Sequence, residues 1–408
     1  MSLITAPSPT GDDDESTQKK PRKNLKRPAS SSANARASRA KPATSLATTL
    51  SRPSDGRIER PITAIRGHRP ALGPLNYASD CSGLDAGAFA LKYIHPRFQH
   101  VWASEVDPSY RSILRATHPE VATVYHDIAQ RPDDALDPHV GNITVYTSGF
   151  PCISFSKAGS QQGHKDPDNG LISFYVAVTI CKVLPDMFIL ENVPEFATDR
   201  KHHGHFDVTM RMLRNAGSGI YSIYWKVLNS KDYGVPAQRK RLFIVGLRTD
   251  RLHTQWAWPK IERAVGLDSI FDEIRLTARQ QHAQIDALAP FAMDNLAKGL
   301  EHVVNNSGGR KGHWVIDVGT SKSRRSAPFY NQMPTITKRR ARKCEWFITN
   351  HGLVSESELL RCQGFDPKQV VVPGNVKREK LCEMIGNAMT VTVMSRLLMA
   401  GLIALGRS

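Results

Sequence analysis

The chain has 408 residues, 55 Lys+Arg against 38 Asp+Glu, a formal net charge of +17 and 40% hydrophobic residues. That length suits about two or three domains of roughly 100–200 residues, and the charge points to a polyanionic partner, nucleic acid first and an anionic membrane surface second. No run of 18 apolar residues exists, residues 171–190 being interrupted by Lys182, Pro185 and Asp186, so a membrane span is excluded, and six cysteines without a C-x-x-C pair argue against a disulfide framework or zinc finger.

Residues 1–70 hold 14 basic and 6 acidic side chains among many Ser, Ala, Pro and Thr. Such a segment buries too little apolar surface to offset its ordering entropy, so it reads as a disordered basic tail. It has no signal-peptide apolar core. Lys19-Lys20-Pro21-Arg22-Lys23 with Lys26-Arg27 reads as a nuclear-import-like patch, which implies a nuclear location if the host is eukaryotic.

From Asn76 onward, short apolar runs alternate with helical patterns. Strands are expected over 75–78, 101–104, 143–147, 187–190, 223–228 and 242–246, and helices over 86–93, 108–117, 171–184 and 206–215. Strands separated by helices imply right-handed crossovers. The expected fold is α/β, a Rossmann-like doubly wound, mostly parallel sheet that binds ligands at the carboxyl ends of its strands. After Arg248 the rhythm breaks down, so residues 249–350 are assigned to a smaller lobe, with Trp256 and Trp258 as packing residues. Helical patterning resumes over 355–362 and 377–394, the latter as one long amphipathic helix, so 71–248 and 351–408 form the main body.

Gly149-Phe150-Pro151-Cys152, followed by Ser154 and Ser156, comes directly after the third expected strand. It is either a reactive thiol at a strand's carboxyl end or a turn that contains a cysteine. The next strand runs into Glu191-Asn192-Val193. A helix lies between the two strands, so they run parallel and their ends open on one edge. That pairs a thiol with a carboxylic acid, a nucleophile with a proton donor. The first strand enters a small-residue turn, Asp80-Cys81-Ser82-Gly83-Leu84-Asp85-Ala86-Gly87, and about 20 residues later comes Glu105 with Val106, the usual place for a ribose-binding acid. Asp127 with Ile128 follows the third turn. The turn is not G-x-G-x-x-G, so a pyrophosphate cradle is poorly supported, and an adenosine cofactor without pyrophosphate, S-adenosylmethionine, fits better.

These residues together resemble the cytosine carbon-5 DNA methyltransferases over roughly 75–248 and 326–400. Gly149-Phe150-Pro151-Cys152 resembles the family's Pro-Cys loop and Glu191-Asn192-Val193 its Glu-Asn-Val motif. Arg239 and Arg241 resemble the paired arginines, and Pro334-Thr335-Ile336-Thr337 with Leu360-Arg361-Cys362-Gln363-Gly364-Phe365 resembles the segment after the recognition region. Gly386-Asn387-Ala388 resembles the closing Gly-Asn motif that folds back beside the first strand. Departures are Asp85 and Ala86 where glycines are usual, Phe150 where Pro is common, and Ala237 where Gln is frequent.

The resemblance implies a methyl transfer from S-adenosylmethionine to carbon 5 of a flipped cytosine in double-stranded DNA. Cys152 would be the nucleophile, with Glu191, Arg239 and Arg241 completing the catalytic set. Asp80, Ser82, Gly83, Leu84, Glu105, Val106, Asp127, Ile128, Gly149, Pro151, Asn387 and Ala388 would bind the cofactor. Ser154, Ser156, Lys322, Arg324, Arg325, Thr337, Lys338, Arg339 and Arg340 would contact DNA, the basic run 338–343 as a phosphate-contacting strip. No metal and a monomeric enzyme are expected. Lys201-His202-His203-Gly204-His205 reads as an exposed loop rather than a zinc site, and the cysteines other than Cys152 as buried small residues. A tRNA cytosine methyltransferase and an inactive DNA-binding relative are the alternatives.

Overall fold

The computed structural model describes residues 56–57, 75–151, 171–198, 203–272, 277–321 and 326–407. Cys152, Ser154, Ser156, Lys322, Arg324, Arg325 and all of the expected tail but Gly56–Arg57 lie outside them. The strands of the larger sheet are β1 (Gly56–Arg57), β2 (Leu75–Asp80), β3 (Phe98–Ser104), β4 (Thr123–Tyr125), β5 (Val145–Ser148), β6 (Met187–Asn192), β7 (Tyr221–Asn229) and β8 (Lys240–Arg248). Between them run α1 (Ala86–Ile94), α2 (Pro108–Thr117), α3 (Ile172–Val183), α4 (Glu195–Thr198) and α5 (His203–Asn215).

The strand order is β1-β7-β8-β6-β5-β2-β3-β4. Strands β6, β5, β2, β3 and β4 are parallel neighbours, while β8, β7 and β1 pair antiparallel beyond β6. The chain therefore winds outward from β2 through β3 and β4, then returns to place β5 against the other side of β2. That reversal makes the carboxyl ends of β2 and β5 the switch point where ligands bind in this architecture. Central β6, Met187–Asn192, is buried at every position, as a strand covered on both faces must be. The fold class is the expected one: a doubly wound α/β sheet with a mostly parallel centre.

Gly56–Arg57 corrects the expectation for the tail. These two residues pair with Trp225 and Tyr224 at the open edge of β7. An edge offers unpaired backbone groups, so pairing there needs no apolar side chain. The expected exposed histidine loop is corrected as well, because His203–Asn215 is helical and carries His203 and His205 in its first turn.

The stretch with no visible rhythm contains α6 (Ala278–Asp286), α7 (Pro290–Asn306) and a second sheet, ordered β10-β9-β11-β12, of β9 (Trp314–Asp317), β10 (Phe329–Tyr330), β11 (Trp346–Ile348) and β12 (Gly352–Leu353). Thr277 and Gln280 form a reciprocal capping box that starts α6. The short helix α8 (Lys338–Ala341) precedes β11, and the chain finishes with α9 (Glu356–Cys362), α10 (Arg378–Asn387) and α11 (Val391–Ala404).

The single long C-terminal helix expected over 377–394 is in fact two, α10 and α11, bent by 44°. Buried Gln363 stitches the break: its amide donates to the Ile385 carbonyl at 3.2 Å, its side-chain oxygen accepts from Thr390 at 2.9 Å, and its own carbonyl accepts the Val391 N–H at 2.8 Å. The Ile385 carbonyl and the Val391 N–H, at the two helix ends, thereby gain partners from one residue. Among the described residues no single helix is long and apolar enough to cross a membrane.

Candidate active site

The residues expected on the cofactor side begin where β2 ends. Cys81, Gly83 and Asp85 all take left-handed φ, 52°, 54° and 57°, which folds the chain sharply into α1. Asp85 is one of the few side chains that tolerates this conformation, and it caps α1 by accepting the Ala88 N–H at 3.0 Å. Its carboxylate also accepts from Tyr77 Oη at 2.5 Å and Ser79 Oγ at 2.6 Å, with His100 Nε2 at 3.3 Å. Burial pushes the Asp85 carboxyl up, but His100, His118 and Ser79 outweigh it and hold the group well below the usual carboxylate range. The departure from glycine is thus filled by a residue that does the turn's work and adds a buried anchor.

Glu105 lies at the carboxyl end of β3 and accepts the Gly83 and Asp107 N–H groups, each at 3.0 Å. Burial raises its carboxyl above the ordinary value, against those backbone bonds. Val106 beside it is 68% exposed, an apolar shelf at the sheet edge, while Ile128 is buried and Asp127 caps the Ala129 N–H at 2.9 Å. At the end of β5 the Ser148 hydroxyl is buried beside the Cys81 thiol. An acid and an apolar shelf at the switch point suit the ribose and base of an adenosine cofactor.

Three residues expected to touch the cofactor turn inward. Asp80 is fully buried: Arg131 grips both its oxygens at 3.1 and 2.8 Å, and Ser104, Tyr146 and Trp102 donate to it at 2.7, 2.7 and 3.3 Å. No lone pair is left for a ligand, which corrects its assignment. The Ser82 hydroxyl meets Ser79 at 2.7 Å and accepts the Ser104 N–H at 3.1 Å, and Leu84 is core. Gly83 stays at the rim and offers backbone.

The residues expected on the reacting side lie across β5 and β6. Phe150 is buried against Phe196, their ring centroids 5.4 Å apart, and its carbonyl accepts the Asn192 amide at 3.2 Å. This fixes the root from which the Pro-Cys loop departs, Cys152 itself lying outside the described residues. The Glu191 carboxylate is 6% exposed, and Arg241 Nε stands 3.1 Å from its Oε1. A Cβ placed on Gly149 would lie 3.8 Å from Glu191 Oε2 and 3.5 Å from Met389 Cγ, so the loop root, the acid and the C-terminal segment meet.

Arg239 plays a different part from the one expected. Its guanidinium donates to the carbonyls of Ile336 and Gly386, both at 3.1 Å, and of Asn387 at 3.2 Å, and lies 3.9 Å from Glu191. It is a buried strap between three segments, whereas Arg241, its side chain 16% exposed, is the arginine that stands nearest the Glu191 carboxylate. The Asn387 side chain is exposed beside buried Ala388.

Of the expected phosphate strip, Thr337, Lys338 and Arg339 are exposed. Arg340 is turned back onto Asp317, and Arg342 lies 3.4 Å from Glu383. Arg339, Arg342 and Lys343 line a 510 Å³ cleft with Phe291, Asn295 and Glu345. Lys338 is also packed through its backbone, because a Cβ on Gly386 would meet Lys338 N at 2.5 Å. His100, His118 and Glu120 converge closely enough to hold a metal, but the Lys92 ammonium already sits 2.9 Å from Glu120 and opposes a second cation.

Arg131, Tyr146, Gln363 and Met389 were not identified from the sequence. Gln363 stood inside a quoted motif; the other three carry no local signal, since their partners are distant in the chain.

The C-5 cytosine-specific DNA methylase family matches residues 76–400. The chain is 27% identical over 333 residues to the type II methyltransferase M.NgoPII of Neisseria gonorrhoeae, covering 77% of this chain and 91% of that one. It is 38% identical over 135 residues to M.MthTI of Methanothermobacter thermautotrophicus, covering 33% and 39%. Among solved structures, a putative prophage-encoded DNA modification methyltransferase of E. coli superposes with a TM-score of 0.57 at 19% identity, over 82% of this chain and 100% of that one. S. pombe Dnmt2 gives 0.54 at 14%, over 81% and 98%, and these two likenesses speak to the fold. The chain belongs to the C-5 cytosine-specific DNA methylases and is, by family, a DNA cytosine-5 methyltransferase.

Proposed function

We propose that the chain methylates carbon 5 of a flipped-out cytosine in duplex DNA through a covalent adduct on Cys152. The observation that carries this reading is the Glu191–Arg241 pair at 3.1 Å, buried beside Gly149 at the root of the loop that bears Cys152. Cytosine carbon 5 is too weak a nucleophile until the ring is activated. The Cys152 thiolate attacks carbon 6, and the ring becomes an enamine. Glu191 contacts ring nitrogen 3 and the exocyclic amine, offsetting the charge that develops there. Arg241 orients that carboxylate and binds the base oxygen. Carbon 5 then takes the methyl group, and loss of its proton expels Cys152. Gly83, Glu105 and Val106 would hold S-adenosylmethionine, which would supply that methyl as an activated sulfonium.

Residues 249–350 act as the recognition lobe, with Thr337, Lys338 and Arg339 toward the phosphates and Ser154, Ser156, Lys322, Arg324 and Arg325 as further DNA contacts. The enzyme works as a monomer, and in a eukaryotic host the patch from Lys19 to Arg27 directs it to the nucleus, which a fluorescent fusion with and without that patch tests.

Labelled methyl transfer to duplex DNA and to tRNA, with Cys152→Ala as control, tests the chemistry. DNA labelling that Cys152→Ala abolishes is expected. Labelling of tRNA alone overturns the DNA reading, and no transfer to either leaves a DNA-binding relative. Bisulfite sequencing of the product then gives the target site.

A further inference from the structure

Two cysteines far from the reacting centre in sequence are brought together. Cys344 Sγ and Cys382 Sγ lie 3.9 Å apart, one in the turn between α8 and β11 and the other on α10. The Arg378 guanidinium stands 3.9 Å from the Cys344 sulfur. Cys344 also holds a left-handed φ of 48° that puts its side chain at the wall of a 270 Å³ cavity, which Lys343, Arg378, His351 and Glu358 line with it. A small solute that enters this cavity meets the sulfur beside two cations.

The surroundings separate the roles of the two thiols. The contact with Cys382, against burial and with Arg378, draws the Cys344 thiol below its ordinary value. The same contact and burial push Cys382 up. Cys344 thus lines the cavity beside Arg378 with its thiol drawn down, and Cys382 lies outside that lining with its thiol pushed up. This is the division between an attacking thiol and a resolving thiol.

We propose that Cys344 and Cys382 are a peroxide-oxidisable dithiol, a modification site separate from the methyl-transfer centre. The Cys344 thiolate attacks one oxygen of a hydroperoxide, the O–O bond breaks, and the alkoxide or hydroxide released takes a proton from solvent. Cys344 is then a sulfenic acid. The Cys382 sulfur attacks the Cys344 sulfur as its own proton leaves with the expelled hydroxide, as water. The sum is two thiols and one hydroperoxide giving one disulfide, one alcohol or water, and one further water. The sulfurs approach from 3.9 Å to the roughly 2.05 Å of a disulfide bond, and the bond ties the α8–β11 turn to α10. An added dithiol reverses it.

Tryptic digestion isolates the two cysteines in separate peptides, residues 344–361 and 381–396, each with one cysteine. The full-length protein is treated with hydrogen peroxide, alkylated without reduction and mapped by mass spectrometry. The expected result is a cross-linked peptide pair that dithiothreitol dissolves into its halves. In Cys382→Ser the expected result is instead a dimedone adduct on Cys344, and in Cys344→Ser no adduct on Cys382. Full alkylation of both cysteines at a peroxide dose that oxidises free glutathione overturns the proposal. So does a dimedone adduct confined to Cys382. Each readout is a peptide mass, independent of whether the protein methylates DNA, so this proposal and the proposed function fail separately.

Discussion

Arg239 donates to the Asn387 carbonyl across 148 positions of sequence, at 3.2 Å, and to Gly386 beside it at 3.1 Å. A buried guanidinium thus holds the last motif of the chain against the strand that follows Gln238. Removing it strands three carbonyls without a donor. Arg239→Ala is expected to destabilise the protein by about 3–5 kcal/mol, the cost of breaking a buried charged network. Arg241→Lys, at the more exposed cleft position, is expected to fold normally with much reduced turnover, because a lysine cannot reproduce the guanidinium's fork. Urea unfolding and methyl-transfer rates on both variants separate the strap from the cleft residue.

Asp80 invites a similar test. Its oxygens are consumed by Arg131, Tyr146, Ser104 and Trp102. Asp80→Ala therefore leaves a buried guanidinium unpaired and is expected to cost about 3–5 kcal/mol. At a temperature where the variant is still folded, its affinity for S-adenosylmethionine, measured by calorimetry, should stay within a few-fold of the parent. A loss of affinity out of proportion to stability would return Asp80 to the ligand.

Asp85 predicts a pH dependence. Its folded-state carboxyl lies below the unfolded value of about 3.9, so its contribution to stability is fully present above that pH and is lost as pH falls below it. Asn at this position still tolerates the left-handed φ and can cap α1. In Asp85→Asn the fall in unfolding free energy between about pH 5 and 2 should be shallower than in the parent, with neutral-pH stability lower by roughly 1.5–3 kcal/mol. Denaturant unfolding at several pH values checks both.

The basic strip divides into two kinds of arginine. Arg339 is exposed, whereas Arg340 is paired with Asp317. Arg339→Ala is expected to weaken DNA binding evenly across sequences and to reduce the salt slope by about 1. Arg340→Ala is expected to lower the melting temperature of the free protein instead. Binding isotherms at several salt concentrations, beside thermal melts, distinguish them.

Gly386 has no room for a side chain, since a Cβ would sit 2.5 Å from the Lys338 backbone nitrogen. Gly386→Ala should cost about 1–3 kcal/mol as an overpacked contact, read by urea unfolding.

Strands β2, β3, β6, β7 and β8 were legible because each is six residues or longer, and β5, only four, because the run 143–147 extends it. The second sheet was not, because its strands span two to four residues and give no period to read. α7 escaped for another reason: Phe291, Met293, Leu300 and Val304 are exposed apolar residues that blur its two faces. At the site, Glu191, Glu105 and the loop root fell where strand order put them. Asp80 did not, because its position at a strand end says nothing of which way its side chain turns, and that is decided by Arg131, which lies 51 residues away. The split of Arg239 from Arg241 was equally hidden. Two residues apart, they would share one face of a regular strand, but Arg239 lies just before β8 and only the partners reveal the split.

The contact of α11 with α1 joins segments about 300 residues apart, a separation of the kind that slows folding. It also orders events during synthesis. The segments bearing Cys152, Glu191 and Arg241 leave the ribosome well before Gly386 and Asn387, so Arg239 has only part of its set of acceptors until the last helices follow. A message cut short after β8 would yield a chain with Cys152, Glu191 and Arg241, yet without the three carbonyls that Arg239 holds.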